Sequence, residues 1–213
     1  MRNWYYFNWL CGDHIVEQHI HNLDVINWAK NAYPVRCHGM GGCEVRKGPD
    51  YGEIFDHHAV EYIYEDGSRM FSQCRHQVGT RADVSEHLTG TKGTCNVSGY
   101  TISLYENNPW LGGKAWRFRA EAKDPYQQEH DDLFSAIRNN KDFSEAENGA
   151  KSSLTSIMGR MATYSGKEVT WEAALNSTLD LMPESLAWDA QPKVLPGPDG
   201  LYPLAVPGRT LAL

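Results

Sequence analysis

The chain has 213 residues, 41% of them hydrophobic, and a formal net charge of −7 from 20 Lys and Arg against 27 Asp and Glu. That length can bury one sizeable core, and the acidic balance excludes a nucleic-acid backbone as partner, because phosphate contacts need clustered Lys and Arg and the basic residues here are scattered. No run approaches the ~20 apolar residues of a membrane helix, so membrane association is not expected either, and neutral carbohydrate suits this charge better than a polyanion.

Met1 to Leu10, MRNWYYFNWL, is dense in aromatic residues and needs a cover, either the core or a substrate or neighbouring domain. Asp13 to Trp28 reads as one amphipathic helix with Val16, Ile20, Leu23 and Ile26 on its buried side. Beside them Glu17, His21, Asp24 and Trp28 form a second stripe at spacings of four, three and four, so that carboxylates flank an imidazole on adjacent turns. Such a stripe is either the wet side of a surface helix or a proton-transfer device. In the second case a carboxylate holds the imidazole tautomer while His21 accepts and returns a proton near neutral pH.

Pro34 ends that helix and Val35 to Lys47 reads as extended. Glu53 to Tyr64 and Ser68 to Val78 form a hairpin around Asp66-Gly67, with His58, Val60, Tyr62 and Tyr64 on one side and a type I′ turn expected. Short strands follow at Asp83–Leu88, Thr94–Val97, Tyr100–Tyr105 and Lys114–Arg119, continuing an antiparallel meander. Asp124-Pro125 caps a helix that runs to about Asn140 and buries Leu133, Phe134 and Ile137. Ser144 and Glu147 make a capping box for a last long helix with Ala150, Leu154, Ile157, Met161 and Tyr164 as its apolar stripe, stopped by Gly166. Residues 1–182 are therefore expected to be one α+β domain, an open, mainly antiparallel sheet with helices on one face. Residues 183–213, rich in Pro and Gly, form an extended tail. A sheet face bearing Val60, Tyr62 and Phe71 would leave an apolar patch in water, so at least a homodimer is expected.

Cys11, Cys37, Cys43, Cys74 and Cys95 lack any C-x-x-C pair and are expected to be free thiols. Nine histidines raise the possibility of a metal. His14 or Glu17 with His21 are spaced for one, and His57, His58 or His76 could complete a set, but no spacing demands it and none is expected. Tyr5, His14, Arg75 and His76 are the candidates for binding sugar hydroxyls. For Arg75 and His76 the plain alternative is a salt-bridged strand end.

GDHIVEQHIHNLDVINW resembles the helix that opens the C-terminal domain in the Gfo/Idh/MocA family of nicotinamide-dependent oxidoreductases. The segments GEIFDHHAVEYIYEDGS, EHLTGTKGT, DPYQQEHDDLFSAIRNN and SSLTSIMGRMATYSGKEVTW are similar to the same family, so the resemblance runs from about Arg2 to Ser177. It departs at Glu17, where Asp is usual, and at His19, where Gly is common. The resemblance implies hydride transfer between a sugar or polyol and NAD or NADP, with His21 as general base and Glu17 as its helper. It also implies that the Rossmann domain carrying the cofactor is missing here. No strand leads into G-x-G-x-x-G, and Gly39-Met40-Gly41-Gly42 lacks that spacing. No cofactor is thus expected to bind this chain alone, and the compartment, cytoplasmic or periplasmic, stays open. Two alternatives stand beside this expectation: a family member that cleaves glycosides by transient oxidation, and a non-catalytic carbohydrate-binding or scaffold domain.

Overall fold

The computed structural model describes residues 2–105, 115–119 and 124–212. Contacts divide the chain into one unit of residues 1–82 and 150–213 and a second of residues 83–149.

In the first unit a 3-10 turn, Trp4–Tyr6, leads into α1 (Asn8–Cys11), α2 (His14–Glu17) and α3 (Ile20–Lys30). The single helix expected over Asp13–Trp28 is therefore broken. The His19 N–H reaches back five residues to the His14 carbonyl at 3.0 Å, which turns the chain at Gln18-His19, and the His19 ring is held against Ser72 Oγ at 2.7 Å. β1 (Arg36–Gly42), β2 (His57–Ile63), β3 (Arg69–Arg75) and β8 (Val169–Thr170) form an antiparallel sheet in the order β3-β2-β1-β8. The return from β1 to β2 is fixed by Asp56, whose Oδ2 accepts the backbone N–H groups of Glu44, Val45 and Arg46 at 2.7, 2.7 and 3.2 Å.

The β2–β3 turn differs from expectation. Only Gly67 has positive φ, 82°, and its N–H donates to the Tyr64 carbonyl at 3.0 Å while the Tyr64 N–H donates to Ser68 at 2.9 Å. This is a type I turn followed by a left-handed glycine, the three-residue hairpin solution, because Asp66 is spared the positive φ that type I′ requires.

Alternation along β2 is as expected, with His58, Val60, Tyr62 and Tyr64 buried against the helices. Val60 and Tyr62 are thus core residues, which corrects their placement on the uncovered face. That outer face instead shows Met40 and Phe71, 74% and 73% exposed. α5 (Ala146–Ser165) is buried over most of its second half, and α3 crosses it through Asn27, whose amide donates to Thr155 Oγ1 at 3.1 Å while its oxygen accepts from the Tyr64 hydroxyl at 2.7 Å. Gly159 is the point of closest approach, since a Cβ there would lie 2.1 Å from the Tyr62 hydroxyl and 2.9 Å from Ile15 Cδ1. Gly166, at φ 68°, ends the helix and α6 (Trp171–Leu175) follows β8. Beyond it no helix or strand forms among the described residues, yet the tail packs home: Gly208 N–H donates to Ser165 at 2.7 Å, Tyr202 meets Phe7 edge-on, and Ala212 is buried in the core.

In the second unit β4 (His87–Thr89), β5 (Gly93–Asn96), β6 (Thr101–Leu104) and β7 (Trp116–Arg117) make a separate antiparallel sheet in sequence order, so the meander closes as two sheets and not one. The expected strand start at Lys114 lies outside the described residues. α4 (Pro125–Arg138) has the expected Asp124 cap, which accepts from the Tyr126 and Gln127 N–H groups, but Leu133, Phe134 and Ile137 are exposed and only Ala136 is buried. All five cysteines are free. No helix among the described residues is long and apolar enough to cross a membrane.

Candidate functional site

The polar centre of the first unit is the turn between α1 and α2. Gly12 is left-handed, and Asp13 follows at φ 77°, ψ 158°. That region is occupied almost only by glycine, and a side-chain-bearing residue there is strained by about 1–3 kcal/mol. The unusual backbone aims a fully buried carboxylate into the core. Its Oδ2 accepts the Phe55 N–H at 3.0 Å and the Tyr164 hydroxyl at 2.6 Å, and its Oδ1 accepts the His14 N–H. The same Oδ1 lies 2.8 Å from His14 Nδ1 and 3.2 Å from His58 Nε2. Burial by itself would raise the Asp13 pKa, but the facing His58 and the close approach of His14 outweigh it and hold the carboxyl well below the usual carboxylate range. Burial lowers the pKa of His58 against the opposing pull of Asp13, and burial together with the Asp13 charge raises that of Tyr164.

A column of rings leads outward from this carboxylate. His58 and His14 are 4.8 Å apart, His14 stacks on His76 at 4.6 Å, and His76 stacks on Tyr5 at 5.5 Å with the planes 6° apart. Burial, followed by the charges of His14 and Arg46, lowers the His76 pKa to about 4. Tyr5 donates to Gln18 Oε1 at 3.2 Å, and burial followed by the Glu17 charge raises its phenol pKa. The fold thus brings three of the candidates, Tyr5, His14 and His76, into one stack, with His14 buried. Arg75 does not join them: it leaves the strand on the opposite side, is exposed, and donates to the Arg81 carbonyl at 3.1 Å. Glu17 and His21 are exposed on either side of the break, and no hydrogen bond or ion pair joins them. Asp24 accepts from Ser152 Oγ.

Sequence reasoning names His58 only as a possible further metal ligand, places Asp13 at the start of a helix and Tyr164 on an apolar stripe, and assigns neither Asp13 nor Tyr164 to a site; all three are buried. The signal available for His58 is its place on the buried side of β2, in step with Val60 and Tyr62; no comparable local signal marks Asp13.

The strand pairings are all antiparallel among the described residues, and Gly39 and Gly41 sit inside β1, where a Cβ would come within 2.5 and 2.6 Å of the Ala59 and His57 carbonyls. Those glycines allow close strand approach and do not form a phosphate-binding turn. Among the described residues no parallel strand leads into a glycine-rich turn at a helix start, the arrangement that cradles a dinucleotide pyrophosphate.

No family model matches the sequence, and no curated protein matches it. Solved structures do. The aldose-aldose oxidoreductase from Caulobacter crescentus, complexed with glycerol, matches with a TM-score of 0.63 at 16% identity, covering 79% of this chain and 51% of that one. A levoglucosan dehydrogenase in complex with NADH and levoglucosan gives a TM-score of 0.63 at 13% identity over 79% of this chain and 53% of that one. The scyllo-inositol dehydrogenase from Lactobacillus casei, with bound NAD(H) and scyllo-inositol, gives 0.54 at 17% over 74% and 48%. The chain spans about half the length of these structures. At such identities the likeness establishes the fold, an α+β arrangement of open antiparallel sheets and helices, and it is the fold of part of several sugar and polyol oxidoreductases.

Proposed function

We propose that this chain is the substrate-binding and oligomerisation half of an NAD(P)-dependent oxidoreductase acting on a sugar or polyol, with His21 as the acid/base group and Glu17 as its helper. The observation that carries the reading is the structural likeness to half of three enzymes whose ligands are glycerol, levoglucosan and scyllo-inositol. The partly exposed, stacked Tyr5 and His76 near Glu17 support it, because an aromatic surface with a few polar edges suits a sugar ring, whereas His14 beneath them is buried and only backs the stack. Exposure of Glu17 and His21 is compatible with a face that another domain covers. The chain's own contribution to the chemistry is proton transfer at a hydroxyl, and the hydride acceptor, NAD or NADP, is held on a Rossmann domain outside this chain; the antiparallel pairing of its described strands, without a phosphate-binding turn, supports that division. The outer sheet face with Met40 and Phe71 is the assigned self-association surface.

The test uses saturation-transfer NMR of this chain with aldoses and inositols, paired with turnover of a longer protein that includes a nucleotide-binding domain. Retained sugar binding and lost turnover in His21→Ala support the base, whereas loss of both makes this a carbohydrate-binding domain only. Product analysis separates net oxidation, which gives a keto-sugar, from transient oxidation, which releases an aglycone. Tight stoichiometric NAD(P) binding by this chain alone would overturn the division of labour.

A further inference from the structure

We infer that Asp13, His14 and His58 form a binding site for one divalent transition-metal ion of the zinc class, buried where the Gly12-Asp13 turn meets β2. One ligand atom from each residue falls in a group whose members all lie within 4.8 Å of one another. Tetrahedral zinc, with bonds of about 2.0–2.1 Å, keeps neighbouring ligand atoms roughly 3.3 Å apart, and the two distances to Asp13 Oδ1, 2.8 and 3.2 Å, lie just under that separation, so a small outward shift of the His14 ring admits the ion.

The hydrogen-bond inventory points the same way. Both ring nitrogens of His14 and Nε2 of His58 are buried without a hydrogen-bond partner among the described residues, although two of them approach a carboxylate oxygen this closely. They are near Oδ1 but not aligned to donate to it. An ionised carboxylate has about four lone-pair sites. Phe55 and Tyr164 fill those of Oδ2, the His14 N–H fills one on Oδ1, and the last faces two imidazole nitrogens at once. One lone pair cannot accept well from both N–H groups, whereas a cation can accept the lone pairs of the oxygen and of both nitrogens.

The tautomer of His58 follows from its other side. Thr163 Oγ1 donates to the Gly159 and Arg160 carbonyls at 3.1 and 3.0 Å, so towards His58 Nδ1, 2.9 Å away, its oxygen acts as acceptor and Nδ1 carries the hydrogen. Neutral His58 then turns the lone pair of Nε2 towards the lone pair of Oδ1, an opposition that a metal ion removes. An outer hydrogen bond of this kind fixes the orientation of ligating imidazoles, and the Tyr164 hydroxyl does the same for the carboxylate. The backbone strain at Asp13 has a use here: it is the conformation that points the carboxylate at both rings.

The probe is Zn²⁺ alone, added to the metal-free full chain, followed by gel filtration against a weak chelator, and then Co²⁺ in its place. Nine histidines are present, so the chelator removes loosely held ions first. The expected result is one retained equivalent, visible d–d bands of a four-coordinate Co²⁺, and X-ray absorption fine structure at the zinc edge with scattering from two imidazoles. His14→Ala and His58→Ala should each weaken binding at least about 100-fold and Tyr164→Phe about 10-fold, while the exposed-residue control His130→Ala changes nothing. Should a variant fail to fold, the wild-type spectra still decide. No retained equivalent in the wild type, fewer than two imidazoles at the zinc edge, or full affinity in the His58 variant overturns the site, and so does NMR showing His58 doubly protonated in metal-free and zinc-loaded chain alike. None of these outcomes bears on sugar binding, which is measured separately.

Discussion

The Tyr164 hydroxyl donates to Asp13 Oδ2 across 2.6 Å, tying the last turn of the long helix to a residue held in a glycine-like backbone conformation. The same hydroxyl lies 3.2 Å from Asn8 Oδ1, so one phenol links α5 to both α1 and the turn that follows it. Tyr164→Phe is expected to lower stability by about 1–3 kcal/mol, the range for removing one partner of a buried polar contact. Asp13→Ala should lose more, since it strands three donors and keeps the strained φ. Asp13→Gly relieves the strain but still strands the donors, so it should fall between the wild type and Asp13→Ala. Urea unfolding with an unchanged slope measures all three.

Gly159 and Tyr62 make a second pair whose coupling can be measured. Gly159→Ala drives a Cβ to within 2.1 Å of a buried hydroxyl that has no hydrogen-bond partner, with overpacking of about 1–3 kcal/mol expected. Tyr62→Phe removes that hydroxyl and is expected to be neutral or stabilising. The double variant should regain most of the Gly159→Ala loss, a positive coupling that thermal or urea unfolding of the four proteins reports. Additive losses would place the clash elsewhere, with Ile15 Cδ1 the next nearest atom.

Glu53 carries the clearest pH dependence. Its Oε1 accepts the Asn8 N–H at 2.9 Å while Oε2 is buried without a partner, and burial raises its pKa above the ordinary value of about 4.3. A carboxyl raised in the folded state contributes stability that is complete below the unfolded pKa and is lost as pH rises through the folded value. Glu53→Gln keeps an oxygen for Asn8 and has no proton to lose. Its stability should therefore be flatter than the wild type's from about pH 4 upward, and no lower at pH 7. Denaturant midpoints taken across that range test the sign.

Phe71 tests the proposed association surface. It stands opposite Glu61 on the outer sheet face, where Glu61 also pairs with Arg69 and lies 3.5 Å from His38 Nε2. Phe71→Glu adds a second carboxylate to that row and should convert a dimer to a monomer in sedimentation at micromolar concentration, with little change in unfolding free energy. A wild type that already sediments as a monomer would remove the surface from the proposal.

Periodicity was enough to read most of the elements. The β2–β3 hairpin, its buried and exposed sides, the Asp124 cap and the Gly166 stop follow from side-chain alternation and local backbone preference, which act over a few residues and need no knowledge of the rest of the chain. The free thiols follow as well, and burial pushes the Cys11 thiol up to about 12. Three features depended on distant partners. The helix break at Gln18-His19 is held by Ser72, 53 residues away in sequence. Leu133, Phe134 and Ile137 have the spacing of a buried stripe, but spacing says only that a cover would fit and not that this chain supplies one. The polar centre was the least legible, because Asp13, His58 and Tyr164 lie far apart in sequence and each satisfies a local rule for an ordinary cap or core residue. What the sequence determined alone was which faces exist. Which faces meet, and therefore that two imidazoles converge on one strained aspartate, was decided by tertiary packing, since Asp13 is held by hydrogen bonds to Phe55 and Tyr164, 42 and 151 residues away in sequence.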